Sequence, residues 1–323
     1  MKARGLMRIS IITLTLDTPQ FFEEAVGSVN AKGPFELEHI VVHDGDDAFV
    51  NDIKRRYPAI KVIKGEGAGA TAAASRGVEA ATGDFILFLH SDDRVDPAAF
   101  SCLVECAIAR PEVKIWTGAA RIFRTREDGH ETTIRWLIDR ETTRLSIENV
   151  CDDIPLLTAR FCHRSVYAEV GNFDPEFSES SDREFLLRVL MAGIVEAPLG
   201  VMVSEMRQHD GSRTIHSRAA WVPPYFIEHV RLAGAWLTRP GLSRGQRRFL
   251  RNWRAREILR LCLYQCRAGQ WRATAGLLIR TEITDPLWIF RIGTVMASRQ
   301  RRLRNDNPDM LNVCSSRSAA SKG

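Results

Sequence analysis

At 323 residues, 45% of them hydrophobic and 26% charged, the chain has the composition of an ordinary globular protein. It is long enough for one large domain or a domain with an appendage. The formal net charge of +5 is modest but uneven: arginines crowd beyond Arg231, which suits anionic lipid, substrate or nucleic acid without choosing among them. No window reaches the ~18 uninterrupted apolar residues that span a bilayer; the best, Pro286 to Ala297, is short and broken by Arg291.

The basic run Met1-Lys-Ala-Arg-Gly-Leu-Met-Arg8 passes straight into a strand over Ile9–Thr15, without the h-region or cleavage site of a signal peptide. A helix over Gln20–Asn30 follows, with Phe21, Phe22, Ala25, Val26 and Val29 on its apolar side. A strand over Glu38–Val42 ends in His43-Asp44-Gly45. Next come a helix over Asp47–Tyr57 closed by Pro58, a short strand over Ile60–Ile63 and a helix over Thr71–Ala81 closed by Thr82-Gly83. The continuous apolar run Phe85–Leu89 reads as a strand buried on both faces of a parallel sheet. This alternation implies an α/β domain with a mostly parallel sheet and right-handed crossovers.

Downstream, the pattern predicts a helix over Pro97–Arg110, a strand over Val113–Thr117 and a hairpin over Arg121–Trp136 turning at Asp128-Gly129. Helices over Ser165–Val170 and Asp182–Met191, each stopped by a glycine, precede a strand over Val195–Val203. The seven cysteines form no CxxC pair. Cys102/Cys106 and Cys262/Cys266, four apart, read as small core residues, and the usage fits a reducing, cytoplasmic setting. Three segments are expected: a first domain over 1–220, an arginine-rich helical extension over 221–304 after Pro223-Pro224, and a polar tail over 305–323 expected to be disordered.

Three loops leave the carboxyl ends of strands in the first half, where open α/β sheets bind ligands. The first holds Thr13, Thr15 and Asp17. The second holds Asp44, and the third is His90-Ser91-Asp92-Asp93. A carboxylate such as Asp44 can accept a hydrogen bond from a pyrimidine N–H, and Asp92 can hold a hard cation against a diphosphate. Gly65-Glu-Gly-Ala-Gly69 permits close backbone approach to a ligand, yet lacks the ending of a P-loop and the context of a dinucleotide fingerprint. The plainer alternatives are an Asp44-Gly45 turn and an N-cap at Asp92 or Asp93 for the helix beginning near Pro97.

The segment from Gly69 to Asp93 resembles the core of inverting glycosyltransferases of family 2. In that family a small-residue helix, an Ala-Thr-Gly-acidic turn (here Ala81 to Asp84) and a strand lead into an aspartate-rich metal motif. Ser10–Asp17 with Ser28-Val29 is similar to the family's first strand and helix, and Ile40–Gly45 to its nucleobase-binding turn. Val170–Phe177 followed by Ser180–Arg188 resembles its acceptor-side motif, and His209-Asp-Gly-Ser212 a segment near the end of its catalytic domain. The likeness spans roughly residues 8–215, about two-thirds of the chain.

The resemblance implies a GT-A (Rossmann-like) fold with a helical C-terminal extension. It implies a nucleotide-sugar donor, a UDP-sugar favoured, held by Thr13, Thr15, Asp17, Asp44, Gly69, Ser75, Arg76, His90, Ser91 and Asp92. A divalent cation, Mg²⁺ or Mn²⁺, is expected on Asp92, with His209 closing the metal shell. Asp182 is implied as the general base that deprotonates a saccharide or lipid-linked acceptor. The residues also allow Asp182 to be a plain N-cap with Glu179 or Glu184 as base, and Arg188 reads as a structural partner of the acidic cluster.

The chain departs from the family at His90, where the metal motif usually begins with an acidic residue. An imidazole brings no negative charge, so a weaker magnesium affinity is expected. Leu16 stands where an aromatic residue often packs on the base, and Asp17 where asparagine is usual. In the last third, Trp253, Ile258, Leu261 and Leu263 interleave with Arg251, Arg254, Arg256 and Arg260. They suit either a membrane-facing surface or a helical cap with a solvated arginine face. No nucleic-acid module accompanies the arginines. The expected function is inverting sugar transfer in surface polysaccharide or glycolipid assembly, peripheral to the inner face of the membrane. The rivals are a degenerate homologue that binds nucleotide-sugar or a partner without turnover, and a nucleotidyltransferase, whose Gly-rich basic loop Ile12–Asp17 does not supply.

Overall fold

The computed structural model describes residues 6–16, 20–138, 144–210 and 224–284. The chain divides into two compact units, Met1–His216 and Ser217–Gly323. In the first, strands β1 (Met7–Thr15), β2 (Phe35–His43), β3 (Lys61–Lys64) and β4 (Phe85–His90) pair in parallel in the order β3-β2-β1-β4. Helices α1 (Phe22–Ser28), α2 (Asp47–Arg56) and α3 (Ala70–Ala80) connect them. Ile9, Ile11, Ile12 and Phe85 to Leu89 are all buried, which is why these strands show continuous apolar runs rather than alternation. Each such side chain contributes roughly 1.5–3 kcal/mol on burial. The small residues of α3 let it lie close on β1: a Cβ at Gly77 would collide with the Ile12 side chain.

The sheet continues through β8 (Arg160–His163), β6 (Ile115–Thr125), β9 (Glu196–Arg207) and β5 (Arg94–Val95), with β7 (Glu131–Leu137) on β6. Here β6–β9 is parallel, while β4–β8, β6–β8, β6–β7 and β5–β9 are antiparallel. The predicted hairpin is present as β6–β7, and Gly129 adopts the left-handed φ of 81° its turn requires. Helices α4 (Ala98–Ala109), α5 (Ile147–Asp152), α6 (Arg164–Val170) and α7 (Ser181–Met191) complete the unit. Phe100, Leu103, Trp116, Phe161 and Val203 centre its core.

Three elements are absent from the sequence reading: β5, β8 and α5. β8 carries Arg160, which is buried at 2% exposure and bonded to Glu196 and Thr117. A charged residue in a short central strand erases the apolar signal that would announce it. β9 runs four residues past Val203, because Ser204 to Arg207 pair with β5 and β6 although they are mostly polar.

The second unit holds α8 (Pro224–Thr238), α9 (Arg244–Arg267) and α10 (Trp271–Thr284). A capping box between Ser243 and Gln246 starts α9. Trp253, Ile258 and Leu261 are buried and only Leu263 of that stripe is exposed, so of the two alternatives those three side chains form core and not a membrane-facing surface. No helix among the described residues is long and apolar enough to cross a membrane. Pro286–Ala297 and the 305–323 tail lie outside the described residues.

Candidate active site

The exits of β1 and β2 are joined by Asp44, whose backbone N–H donates to the Thr15 carbonyl at 3.0 Å. Its carboxylate takes hold of the glycine-rich loop. Oδ1 accepts from Gly67 N at 2.6 Å and Oδ2 from Gly69 N at 3.2 Å. A Cβ at Gly65 would collide with Asp44 Oδ1, so glycine is required there by contact. Asp44 is therefore the anchor of the loop as well as a turn residue. Thr15 lies beside it with a buried hydroxyl that has no hydrogen-bond partner among the described residues. Thr13 stands apart from the crevice: it is fully buried and its hydroxyl engages His39 Nε2 at 2.9 Å. Asp17 lies outside the described residues, as do Gly211 and Ser212.

A cavity of about 310 Å³ opens between this loop, the first turns of α3 and the segment Phe173–Pro175. Asp44, Gly69, Ser75 and Arg76 line it together. Arg76 donates to the Lys64 carbonyl at 2.9 Å and pairs with Glu66 across the mouth. The Ser75 carbonyl accepts from Asn172 Nδ2 at 3.0 Å, tying α3 to the acceptor-side segment. α3 begins at Gly69 without a side-chain cap, so the positive end of its dipole faces the cavity edge and suits an anion.

At the exit of β4, ligand atoms of His90, Asp92 and Asp93 lie within 4.8 Å of one another. His90 Nδ1 is 3.2 Å from Asp93 Oδ2, and Asp92 Oδ2 is 3.0 Å from His209 Nε2. Ser91 forms the turn between them. Neither aspartate caps α4: its cap position is Pro97, and Asp96 accepts from Ala98 N at 2.9 Å. Burial pushes the Asp93 carboxyl up, and the Asp92 charge adds to this against the pull of His90. Desolvation works against a charged His90, but its hydrogen bond to Asp93 and the charges of Asp93, Asp92 and Asp182 outweigh it and raise the imidazole to about 9. Two carboxylates in one corner fit a Mg²⁺ or Mn²⁺ ion, which His90 can join only by giving up its proton.

Asp182 is the second residue of α7 and its Oδ1 accepts from Arg183 N at 2.7 Å. The cap position is Ser180, so Asp182 is not the N-cap. Its charge acts on His90 of the acidic corner. Glu184 is excluded as a base, being buried and bonded to Arg188 through Nε at 2.8 and 3.0 Å. Arg188 also donates to the carbonyls of Val170, Gly171 and Asn172; it is the structural partner the sequence suggested.

One residue was not legible in the sequence. Arg207, at the end of β9, gives its backbone N–H to Asp93 Oδ1 at 2.8 Å and its Nε to the Asp92 carbonyl at 3.2 Å. The only local sign is its position two residues before His209, which puts both on one side of an extended chain.

Residues 10–171, half of the chain, match the family described as Glycosyl transferase family 2. The chain belongs to glycosyltransferase family 2. It is similar to YibD of Escherichia coli (strain K12), described as an uncharacterized glycosyltransferase, at 28% identity over 105 residues, 31% of this chain and 30% of YibD. It is similar to the putative glycosyltransferase EpsH of Bacillus subtilis (strain 168) at 31% identity over 93 residues, 28% of this chain and 27% of EpsH. The matched part thus spans less than a third of either relative.

Among solved structures, S. aureus TarS 1-349 in complex with UDP-GlcNAc superposes with a TM-score of 0.57 at 14% identity, covering 90% of this chain and 80% of that one. Its complex with UDP gives 0.55 at 13% identity, with 78% and 71% covered. At such identity the likeness is one of fold, the GT-A arrangement. This family 2 glycosyltransferase accordingly carries its carboxylates on the strand exits of a GT-A sheet.

Proposed function

We propose that this family 2 glycosyltransferase moves a sugar, with inversion, from a nucleotide-diphosphate sugar to the hydroxyl of a saccharide or lipid-linked acceptor. The observation that carries the reading is that Asp44 and the His90-Asp92-Asp93 corner leave the carboxyl ends of the two strands that flank β1, with the charge of Asp182 acting on His90. A UDP-sugar is the favoured donor, a choice supported by the UDP and UDP-GlcNAc complexes of TarS.

On this reading Asp44 and the glycine-rich loop receive the nucleoside, and the open N-terminus of α3 favours the negative phosphates. Asp92 and Asp93 would hold the divalent cation, with His209 beside Asp92 and His90 joining them on loss of its proton. When bound, the ion neutralises charge on the leaving diphosphate. Asp182 takes the acceptor proton while the acceptor oxygen attacks the anomeric carbon from the side opposite the nucleotide. The new glycosidic bond forms as the bond to the diphosphate breaks, and one displacement inverts the configuration.

The test is transfer from UDP-sugars and other nucleotide-sugars to candidate acceptors, with and without Mn²⁺, for wild type and Asp182→Asn. Full transfer by the variant would remove Asp182 as base. Metal-dependent UDP binding without turnover on any acceptor would favour the alternative of a nucleotide-sugar-binding homologue, for which the imidazole at position 90 is the motive.

We also propose peripheral contact with the inner face of the cytoplasmic membrane, in surface polysaccharide or glycolipid assembly. Trp271, Leu278 and Ile279 are exposed at i, i+7 and i+8 on α10. Between Glu257 and Glu282 the sequence has Arg260, Arg267, Arg272 and Arg280 and no acidic residue. Exposed apolar residues in so basic a stretch of sequence suit anionic lipid. Sedimentation with phosphatidylglycerol vesicles, but not with phosphatidylcholine vesicles, is the expected result.

A further inference from the structure

Arg207 touches both aspartates of the acidic corner. Its guanidinium is buried, at 3% side-chain exposure, and lies 4.2 Å from the Phe21 ring centroid and 4.7 Å from that of Phe123. Nη2 pairs with Glu24 of α1, Nη1 donates to Thr125 Oγ1 at 2.5 Å, and Nε donates to the Asp92 carbonyl. The backbone N–H of the same residue holds Asp93 Oδ1. Phe21, on which the guanidinium rests, also lies 5.2 Å from the His209 ring. Three segments far apart in sequence therefore meet on one planar fork.

We propose that Arg207 is a positioning residue for the cation corner: it fixes the Asp92 backbone, the Asp93 carboxylate and, through Phe21, the setting of His209 without itself reaching substrate. The proposal rests on the reading of that corner as a divalent-cation site. Burial between two phenyl rings removes the guanidinium from contact with a ligand, so its influence passes through the Asp92 carbonyl and the Phe21 ring that it holds. Lysine cannot replace it, because one ammonium cannot serve Asp92, Thr125 and Glu24 in the geometry of a planar fork. Partners that orient metal ligands typically change affinity by about 10- to 100-fold when lost.

The experiment has two readouts on the full chain, wild type against Arg207→Lys. The first is Mn²⁺ affinity in the presence of UDP, followed by electron paramagnetic resonance. The second is the imidazole NMR resonances of His90 and His209 in the metal-free protein. A brace weakens Mn²⁺ binding about 10- to 100-fold in the variant and shifts both imidazole resonances, with UDP binding in the absence of metal retained. Unchanged resonances and wild-type Mn²⁺ affinity in Arg207→Lys overturn the proposal. If wild type binds no Mn²⁺ at all, the cation reading fails, and the metal-free resonances alone decide whether Arg207 sets the corner. Should Arg207→Lys not fold, Glu24→Ala removes one arm of the fork from a half-exposed site. It is expected to shift the same two resonances to a lesser degree, and no shift in it counts against the brace.

Discussion

Two buried carboxylates, Asp93 in the sheet unit and Glu257 in the helical unit, face opposite electrostatic surroundings. Glu257 Oε1 accepts from Arg256 Nε and Arg260 Nη1, each at 2.9 Å, and its Oε2 lies 3.3 Å from His229 Nδ1. Burial alone would raise its pKa. The hydrogen bond to His229 and the charges of Arg260 and Arg256 win, and Glu257 is held at about 2. Asp93 is as deeply buried but is pushed up, because burial and the Asp92 charge outweigh His90 and the Arg207 backbone N–H, and no arginine or lysine charge offsets them. A carboxylate saturated by cations is a strut of the fold. A pair of carboxylates short of positive charge at a strand exit is not what stability alone would select, and such sites are where function is expected.

The strongest break between the two regions is expected at the base. Asp182→Asn should lower the transfer rate by about 10²–10⁴-fold while leaving UDP affinity, measured by calorimetry, near the wild-type value. Next comes stability. Glu257→Gln leaves the cations around it uncompensated and is expected to cost about 3 kcal/mol in urea denaturation, toward the lower end for buried pairs because Arg260 is partly exposed. Asp92→Asn should leave stability equal or higher, since it relieves repulsion from Asp93, and should weaken Mn²⁺ binding. If Asp92→Asn proves the more destabilising of the two, the contrast drawn above does not hold.

Acid should separate the regions as well. Glu257 has a folded pKa of about 2 against an ordinary 4.5. Its stabilisation is complete above the unfolded value and is lost as pH falls from about 4.5 to 2. His39 is buried neutral, its pKa lowered by desolvation from 6.5 to about 4. Folding then excludes a proton that the unfolded chain binds, so stability declines as pH falls from about 6.5 to 4. Each effect is on the order of 3 kcal/mol. Urea midpoints across this range should flatten below pH 4.5 in Glu257→Gln and between 6.5 and 4 in His39→Gln. The smallest effect is expected from Gly65→Ala, whose Cβ must displace the Asp44 carboxylate. A loss of about tenfold in UDP affinity corresponds to ~1.4 kcal/mol, and unchanged affinity would separate Asp44 from donor binding.

Much of this was legible residue by residue. The parallel half could be read because its strands are buried on both faces and its turns are marked by Asp44-Gly45 and Thr82-Gly83. The hairpin could be read from Asp128-Gly129. The short β8 could not, because Arg160 makes a central strand look polar until Glu196 and Thr117 are brought beside it. Thr13 was placed at the crevice from its position near a strand end, yet its side chain turns inward to His39. Which face an alternate residue takes depends on a neighbouring strand that is distant in sequence.

The sequence by itself determined the family, the order of the early strands and helices, and the acidic residues that end them, because these depend on local pattern and turn chemistry. Tertiary structure decided what those residues do. It gave Asp44 the glycine-rich loop to hold, excluded Glu184 as a base by pairing it with Arg188, and released Asp92 and Asp93 from capping. It also set Arg207, more than a hundred positions along the chain, against Asp92 and Asp93. The physical reason is that a hydrogen-bond partner or an uncompensated charge is a property of what packs nearby, and the register of β9 against β5 and β6 brings those groups together.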